Sequence, residues 1–200
     1  WVALRDQKQS IREVTAQALQ SVLRIVSKRE ARLQEEWYGS VLAEANQVRL
    51  GLQYILLSLS LSLSHSLTHS LTQLSLQGFK GNEIERIHGS LLALGELLRC
   101  SGSFIQDRFK DVCDSIIKYK EHRDKLIRRT VISLMPLLAA AHPESFVHNY
   151  RHTCINHLLL SMRRDSDRAT SFISLGELAM VRHTAILSIS LLLTRSLLIH

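Results

Sequence analysis

Histidine is the residue type best placed to do chemistry in this chain of 200 residues, which carries ten of them. His65 and His69 stand at i, i+4 spacing, which on a rigid helix puts two imidazoles on one face and can bind a metal ion. The repeat His-Ser-Leu-Thr generates that spacing automatically, so the pair is not read as a metal site. His142, His148, His152 and His157 lie on or beside one predicted helix, where His148 and His152 share a face and neither shares one with Cys154. A metal or proton-transfer site also needs a third convergent ligand or a carboxylate pair, so these are read as surface histidines. Cys100, Cys113 and Cys154 are odd in number, widely separated and without a Cys-x-x-Cys pair. They fit reduced thiols packed on helices of an intracellular protein, not a disulfide frame or zinc site. The pattern therefore nominates no catalytic, cofactor-binding or metal-ligating residue.

Charge offers a second kind of chemistry. The formal net charge is +7 and the pI near 9.7, which suits nucleic acid or an acidic partner. The basic residues nevertheless fall as short pairs, Lys28 with Arg29, Arg128 with Arg129 and Arg163 with Arg164, interspersed with acids. A solvated helix face is the favoured reading over a nucleic-acid surface.

The elements that must carry these residues form a repeat. The strings SIREVTAQAL, RIHGSLLALGELL, LIRRTVISLMPLL and RATSFISLGELA align on Ile11, Ile87, Ile127 and Arg168, the last three anchors standing forty or so residues apart. The first gap is nearly twice as long. Leu-Gly-Glu-Leu even recurs at Leu94 to Leu97 and Leu175 to Leu178. An all-helical repeat of this length predicts an all-α fold, an α-solenoid of stacked antiparallel helix hairpins.

In the first unit Asp6 caps a helix whose stripe is Ile11, Val14, Ala18, Val22 and Ile25. A second helix is predicted over 30–49 with Leu33, Trp37, Val41 and Ala45 inward. Asn82 then takes the place of Asp6, ahead of a stripe of Ile87, Leu91, Leu94 and Leu98 that Ser101 and Gly102 close. The next helix buries Phe104 or Ile105, Phe109, Val112 and Ile116. A charged turn from Glu121 to Asp124 leads into Ile127, Val131, Leu134 and Leu138, with a kink expected at Pro136. After His142-Pro143, Phe146, Tyr150, Cys154 and Leu158 continue the pattern. Asp165 to Asp167 opens the last helix, with Phe172, Leu175 and Leu178 inward.

Two segments break the pattern, dividing the chain into helices over 1–53, an insert over 54–81, hairpins over 82–181 and a tail over 182–200. The insert alternates Leu with Ser and then repeats His-Ser-Leu-Thr, formally a strand signal of biased composition. Repeated CT and CACT nucleotides would be translated this way. The insert is therefore expected to be disordered and is read as a retained intron or unconstrained insertion. The apolar tail, interrupted by Arg195, is too short and polar for a membrane span and is read as a frameshifted or intronic end. No export signal opens the chain, and the absent initiator Met implies an internal piece of something longer.

The Asp-x-x-x-x-Ile-Arg start resembles the second helix of a HEAT repeat, in which the Asp caps the helix and the Arg bonds across to an acid of the neighbouring repeat. The pattern is complete at Asp6 with Arg12. The second unit has His88 in place of the Arg, and the third keeps Arg128 but has His122 at the capping place. More narrowly, WVALRDQKQSIRE, EEWY, ERIHGSLLALGELLR, FKDVCDSIIKY, LIRRTVISLMPLLAAAHPESF and DRATSFISLGELA resemble, in order, the N-terminal HEAT region of target-of-rapamycin (TOR) kinases. The resemblance implies a non-catalytic protein-binding scaffold within a serine/threonine kinase. Its expected partners are the rest of the TOR chain and a Raptor-like accessory subunit, with no nucleic acid favoured and no direct membrane insertion. Cofactors are expected to be none here, ATP and magnesium belonging to the parent kinase domain. The implied location is cytoplasmic, with endomembranes or the nucleus reached through the parent complex. The chain has no Gly-rich phosphate loop, no Asp-Phe-Gly and no catalytic-loop Asp with a following Asn. The residues singled out as structural are Asp6, Arg12, Asn82, Asp124, Arg128 and Asp167. The competing reading is a HEAT module that binds nucleic acid or acidic cargo through Arg128, Arg129, Arg163 and Arg164.

Overall fold

The computed structural model describes residues 2–44, 66–79, 83–100 and 108–181, with side chains as far as Arg29 in the first of these stretches. Every regular element among the described residues is helical. The chain divides into two compact units, residues 1–108 and 109–200.

In the first unit a single 3-10 turn, Ala3–Arg5, precedes α1, Gln9–Glu44. Two helices had been expected over this range, but α1 continues unbroken past residue 30 as far as Glu44. The inward assignments of Leu33, Trp37, Val41 and Ala45 lie outside the described side chains. Residues 66–78 form α2, and Ile84–Cys100 forms α3, which packs against both the 3-10 turn and α1. The stripe of α3 is the expected one: Ile87, Leu91, Leu94 and Leu98 are all buried. Leu4, Ala16 and Ala93 form a shared core with Leu19 and Leu92 at its edge. Gly89 makes the close approach possible, because a Cβ there would stand 1.7 Å from the Leu4 carbonyl oxygen.

Residues 66–78 fall within the insert. The four-residue repeat lies close enough to the helical period to keep one face together, and Thr68, Thr72, Ser75 and Gly78 are its buried positions. Thr72 and Ser75 donate their hydroxyls to the carbonyls of Thr68 and Leu71, each at 2.8 Å. Burying them therefore leaves no hydroxyl unsatisfied, and local hydrogen bonding overrides the strand-like alternation. Residues 54–65, 80 and 81 of the insert, His65 among them, lie outside the described residues, as do the tail, Asn82, Ser101, Gly102, Phe104 and Ile105.

The second unit contains α4 (Phe109–Ile117), α5 (Lys125–Ala141), α6 (Pro143–Asn149), α7 (Arg151–Ser161) and α8, residues 168–181. Phe109, Val112, Ile116, Ile127, Val131, Leu134, Leu138, Phe146, Cys154 and Leu158 supply its core, and α5 packs against α4, α6 and α7. Pro136 is buried inside α5, which continues through it.

Two stripes differ from expectation. On α1 the buried positions are Arg12, Ala16 and Leu23, while Ile11, Val14, Val22 and Ile25 are 38, 63, 53 and 69% exposed. On α8 the buried positions are Asp167, just ahead of the helix, then Ser171, Ser174 and Leu178, while Phe172 is 71% exposed. The buried set 127, 131, 134, 138 of α5 recurs at 167, 171, 174, 178, so the repeat is forty residues with Asp167 as the last anchor, not Arg168. Small polar side chains occupy the inner face of α8, and a hydropathy pattern passes over them.

Candidate functional site

The repeated chemistry of this molecule is an arginine set one residue beyond the anchor. Arg12 Nη1 donates to the carbonyls of Asp6 and Gln7, six and five residues upstream. Arg128 Nη1 donates in the same way to His122 and Arg123, each at 2.9 Å. Arg168 Nε donates to the carbonyl of Met162, again six residues back, at 3.1 Å. Each guanidinium thus fastens the turn leading into its own helix. The fork of five donors allows this without exhausting the group.

The residue at the sixth position upstream has a second task. Asp6 Oδ1 accepts from the Lys8 N–H at 2.8 Å, and His122 Nδ1 accepts from the Asp124 N–H at 3.1 Å. His122 therefore does replace Asp6, because a neutral imidazole nitrogen can accept the same bond. Asp124 is the N-cap of α5, accepting from Leu126 and Ile127.

The remaining donors reach the next repeated unit. Arg128 Nε donates to Asp167 Oδ2 at 2.9 Å, with Nη2 at 3.4 Å from both Asp167 Oδ1 and Ser166 Oγ. Arg129 donates to Thr170 beside it. Burial by itself would push the Asp167 carboxyl up, but hydrogen bonds from Arg128 and Ser166 and the charges of Arg128 and Arg164 outweigh it and hold the group below its ordinary value of 3.8. In the first unit Arg12 Nε donates to His88 Nδ1 at 3.0 Å, both groups being buried. His88 thus takes the acceptor's part where an Arg was expected, and the ladder runs on Asp in one place and His in the other.

A second polar pair completes the seam of the second unit. His157 Nδ1 lies 3.1 Å from Glu121 Oε1, and Arg164 Nη2 donates to Glu121 Oε2 at 2.7 Å. His157 Nε2 is 3.2 Å from Ser161 Oγ. Acid, imidazole and hydroxyl stand in hydrogen-bonded order, yet Ser161 is only 1% exposed, so a substrate carbonyl has no approach to it. Burial pushes His157 down against the upward pull of Glu121, and Arg164 pulls Glu121 down against its partial burial.

The other histidines do not converge. His142 caps α6 and stacks near Phe109, with ring centroids 5.3 Å apart, while His152 meets Asn156 on α7. His148 and His152 were expected to share a helical face, but the chain leaves helical geometry at Tyr150 between them (φ −123°, ψ −21°). His69 Nε2 lies 3.3 Å from Arg108 Nη1, which also places Nη2 on Gln73. Among the described residues no three of His, Cys, Asp and Glu gather as a metal site. All three cysteines are free; burial raises the thiol of Cys154 to about 12 and that of Cys113 higher, the latter helped by Cys154 and Asp114. No described helix is long and apolar enough to cross a membrane.

Helices packed on their sequence neighbours, with Arg12 and Arg128 each fastening the turn ahead of its own helix and reaching across to a neighbouring repeat, define an all-α protein of the helical-repeat class. No protein-family profile matches the chain. It is 38% identical over 179 residues to the serine/threonine-protein kinase TOR of Oryza sativa subsp. japonica and 37% identical over 179 residues to that of Arabidopsis thaliana. It is 33% identical over 187 residues to tor1 of Schizosaccharomyces pombe. These alignments take in 90 to 94% of this chain but only 6 to 7% of each relative. The chain therefore corresponds to a segment of the large TOR proteins.

Proposed function

We propose that this segment is a non-catalytic scaffold: a stretch of helical repeat within a TOR-type serine/threonine kinase that joins neighbouring repeats and supports a Raptor-like accessory subunit. One observation carries the reading. Polar side chains that could do chemistry, Arg12, Arg128, Arg164, Asp167, Glu121 and His157, are engaged in joining successive repeats within each compact unit. Meanwhile apolar side chains such as Val14, Ile25, Phe172 and Ile173 face outward, as a binding surface requires. Phosphoryl transfer, ATP and magnesium belong on this reading to the remainder of the parent.

The test uses the full-length parent. Exposed residues of 83–181 are exchanged for residues of opposite character, secondary structure is confirmed, and recovery of the accessory subunit is measured by affinity capture. Lost recovery with unchanged folding is the expected result; unchanged recovery across the whole surface defeats the proposal. The nucleic-acid alternative is disfavoured because Arg128, Arg129 and Arg164 already donate to Asp167, Thr170 and Glu121. Binding through phosphates would weaken by about 0.9 log unit per log unit of salt for each contact. We expect no such slope.

A further inference from the structure

We propose that Ser166 is a phosphorylation site for an arginine-directed protein kinase, and that the added phosphate loosens the packing of α8 on α5. Ser166 lies in the exposed turn between α7 and α8, directly after Arg163, Arg164 and Asp165. Basic residues two and three positions ahead of a hydroxyl complement a kinase whose peptide groove is acidic, the kind of charge pattern by which such enzymes choose substrates. The hydroxyl also touches the seam itself: Ser166 Oγ donates to Asp167 Oδ1 at 2.9 Å and lies 3.4 Å from Arg128 Nη2.

In the transfer, Ser166 Oγ attacks the γ-phosphorus of ATP bound to that kinase. The bond from phosphorus to the bridging oxygen breaks, ADP leaves, and the hydroxyl proton passes to the kinase's base. The product carries about −1.5 to −2 charge and no longer has a hydrogen to give Asp167.

The surroundings decide the direction of the effect. Three guanidiniums, Arg128, Arg164 and Arg168, stand close by, and each already serves a carboxylate: Asp167, Glu121 and Asp165 respectively. The cluster is balanced, so a phosphate gains cations only by withdrawing them. Taking Arg128 leaves the fully buried Asp167 without its main partner, and taking Arg164 releases Glu121 from the turn. The position near the first turn of α8 favours an anion. That gain is smaller than the loss, because two ion pairs between successive repeats are surrendered for it.

The test treats the whole chain with magnesium-ATP and an arginine-directed kinase, locates the phosphate by fragment mass spectrometry, and follows amide exchange in 167–178. Modification of Ser166 in the folded chain, with exchange there accelerated roughly tenfold or more, is the expected result. Ser166→Glu should reproduce the acceleration and the isosteric, uncharged Ser166→Gln should not. Modification of a free 160–170 peptide but not of the chain overturns the proposal, as does a phosphorylated chain with unchanged exchange. Neither result bears on accessory-subunit capture, so this inference and the scaffold reading fail separately.

Discussion

Asp167 and Glu121 carry the same charge and each receives an arginine, yet their settings differ enough to give opposite forecasts. The Asp167 side chain has no exposed surface and its partner Arg128 only 14%, whereas Glu121 and Arg164 are 51 and 44% exposed. Removing one member of a buried pair strands the other, so Arg128→Ala should cost about 3–5 kcal/mol in urea unfolding. Arg164→Ala should cost no more than about 1 kcal/mol, since solvent already screens that pair. Arg128→Lys should recover little, because one ammonium cannot serve Asp167 and two turn carbonyls at once. Equal losses at Arg128 and Arg164 would contradict this ranking.

The titrations at the same seam act together. His157 has a folded value below its ordinary 6.5, so its neutral form is the one the fold favours, and its contribution is complete above pH 6.5 and lost as pH falls through the lower folded value. Glu121 and Asp167 are likewise lowered, and their contributions hold above 4.5 and 3.8 and fade as pH falls through their folded values. Stability should therefore decline on acidification in two stages, the first from His157. His157→Gln should flatten the first stage and leave the second; an unchanged profile in that variant would rule the assignment out.

At the scale of elements, two glycines inside helices make a matched comparison. Gly89 in α3 faces the Leu4 carbonyl, and a methyl there would have to displace backbone that cannot rotate aside. Gly89→Ala should destabilise by about 1–3 kcal/mol through overpacking, in spite of alanine's better helix propensity. Gly176 in α8 has nothing within 4 Å of a built Cβ, so Gly176→Ala should stabilise by roughly 0.8–1 kcal/mol. Thermal melts of the two variants should move in opposite directions. The same contrast explains what sequence could reveal. The faces of α3 and α5 were legible because Ile and Leu recur there at helical spacing and polar residues hold the other side. The face of α1 was misassigned because the helix buries Arg12, held by His88 and by the Asp6 and Gln7 carbonyls, and exposes valine and isoleucine. The register of α8 was off by one for a related reason: Asp167 is buried through its bonds to Arg128 and Ser166, and Ser171 and Ser174 through their small size, so hydrophobicity pointed to Phe172 instead. One spacing singled out Asp6, Arg12 and Arg128, although the partner across from Arg12 is His88 and not the expected acid, whereas Glu121 with His157 left no such mark. Those two residues sit 36 positions apart with no periodic relation, and only folding reveals the pair.

For the molecule as a whole, the outward apolar residues govern how it behaves in solution. On α1, Ile11, Val14, Ala18, Val22 and Ile25 lie along one side of the helix over about 21 Å, and none is buried. Every equivalent anchor stripe on α3 and α5 is covered, so the exposed one has the composition of an interface without its cover. The exposed pair Phe172 and Ile173 on α8 is shorter, and small neighbours such as Gly176 flank it. A stripe of this kind on a monomer drives self-association. The purified chain should therefore associate as its concentration rises, and the joint substitution Val14→Lys with Val22→Lys should suppress this more strongly than Phe172→Lys. Because Val14 and Val22 are more than half exposed already, the melt should shift little, within about 0.5 kcal/mol for each surface change. Sedimentation across a concentration series separates the two effects. Association that persists in the double variant would mean that the α1 stripe is not the adhesive surface, and a large loss of stability would mean that it is buried in the protein after all.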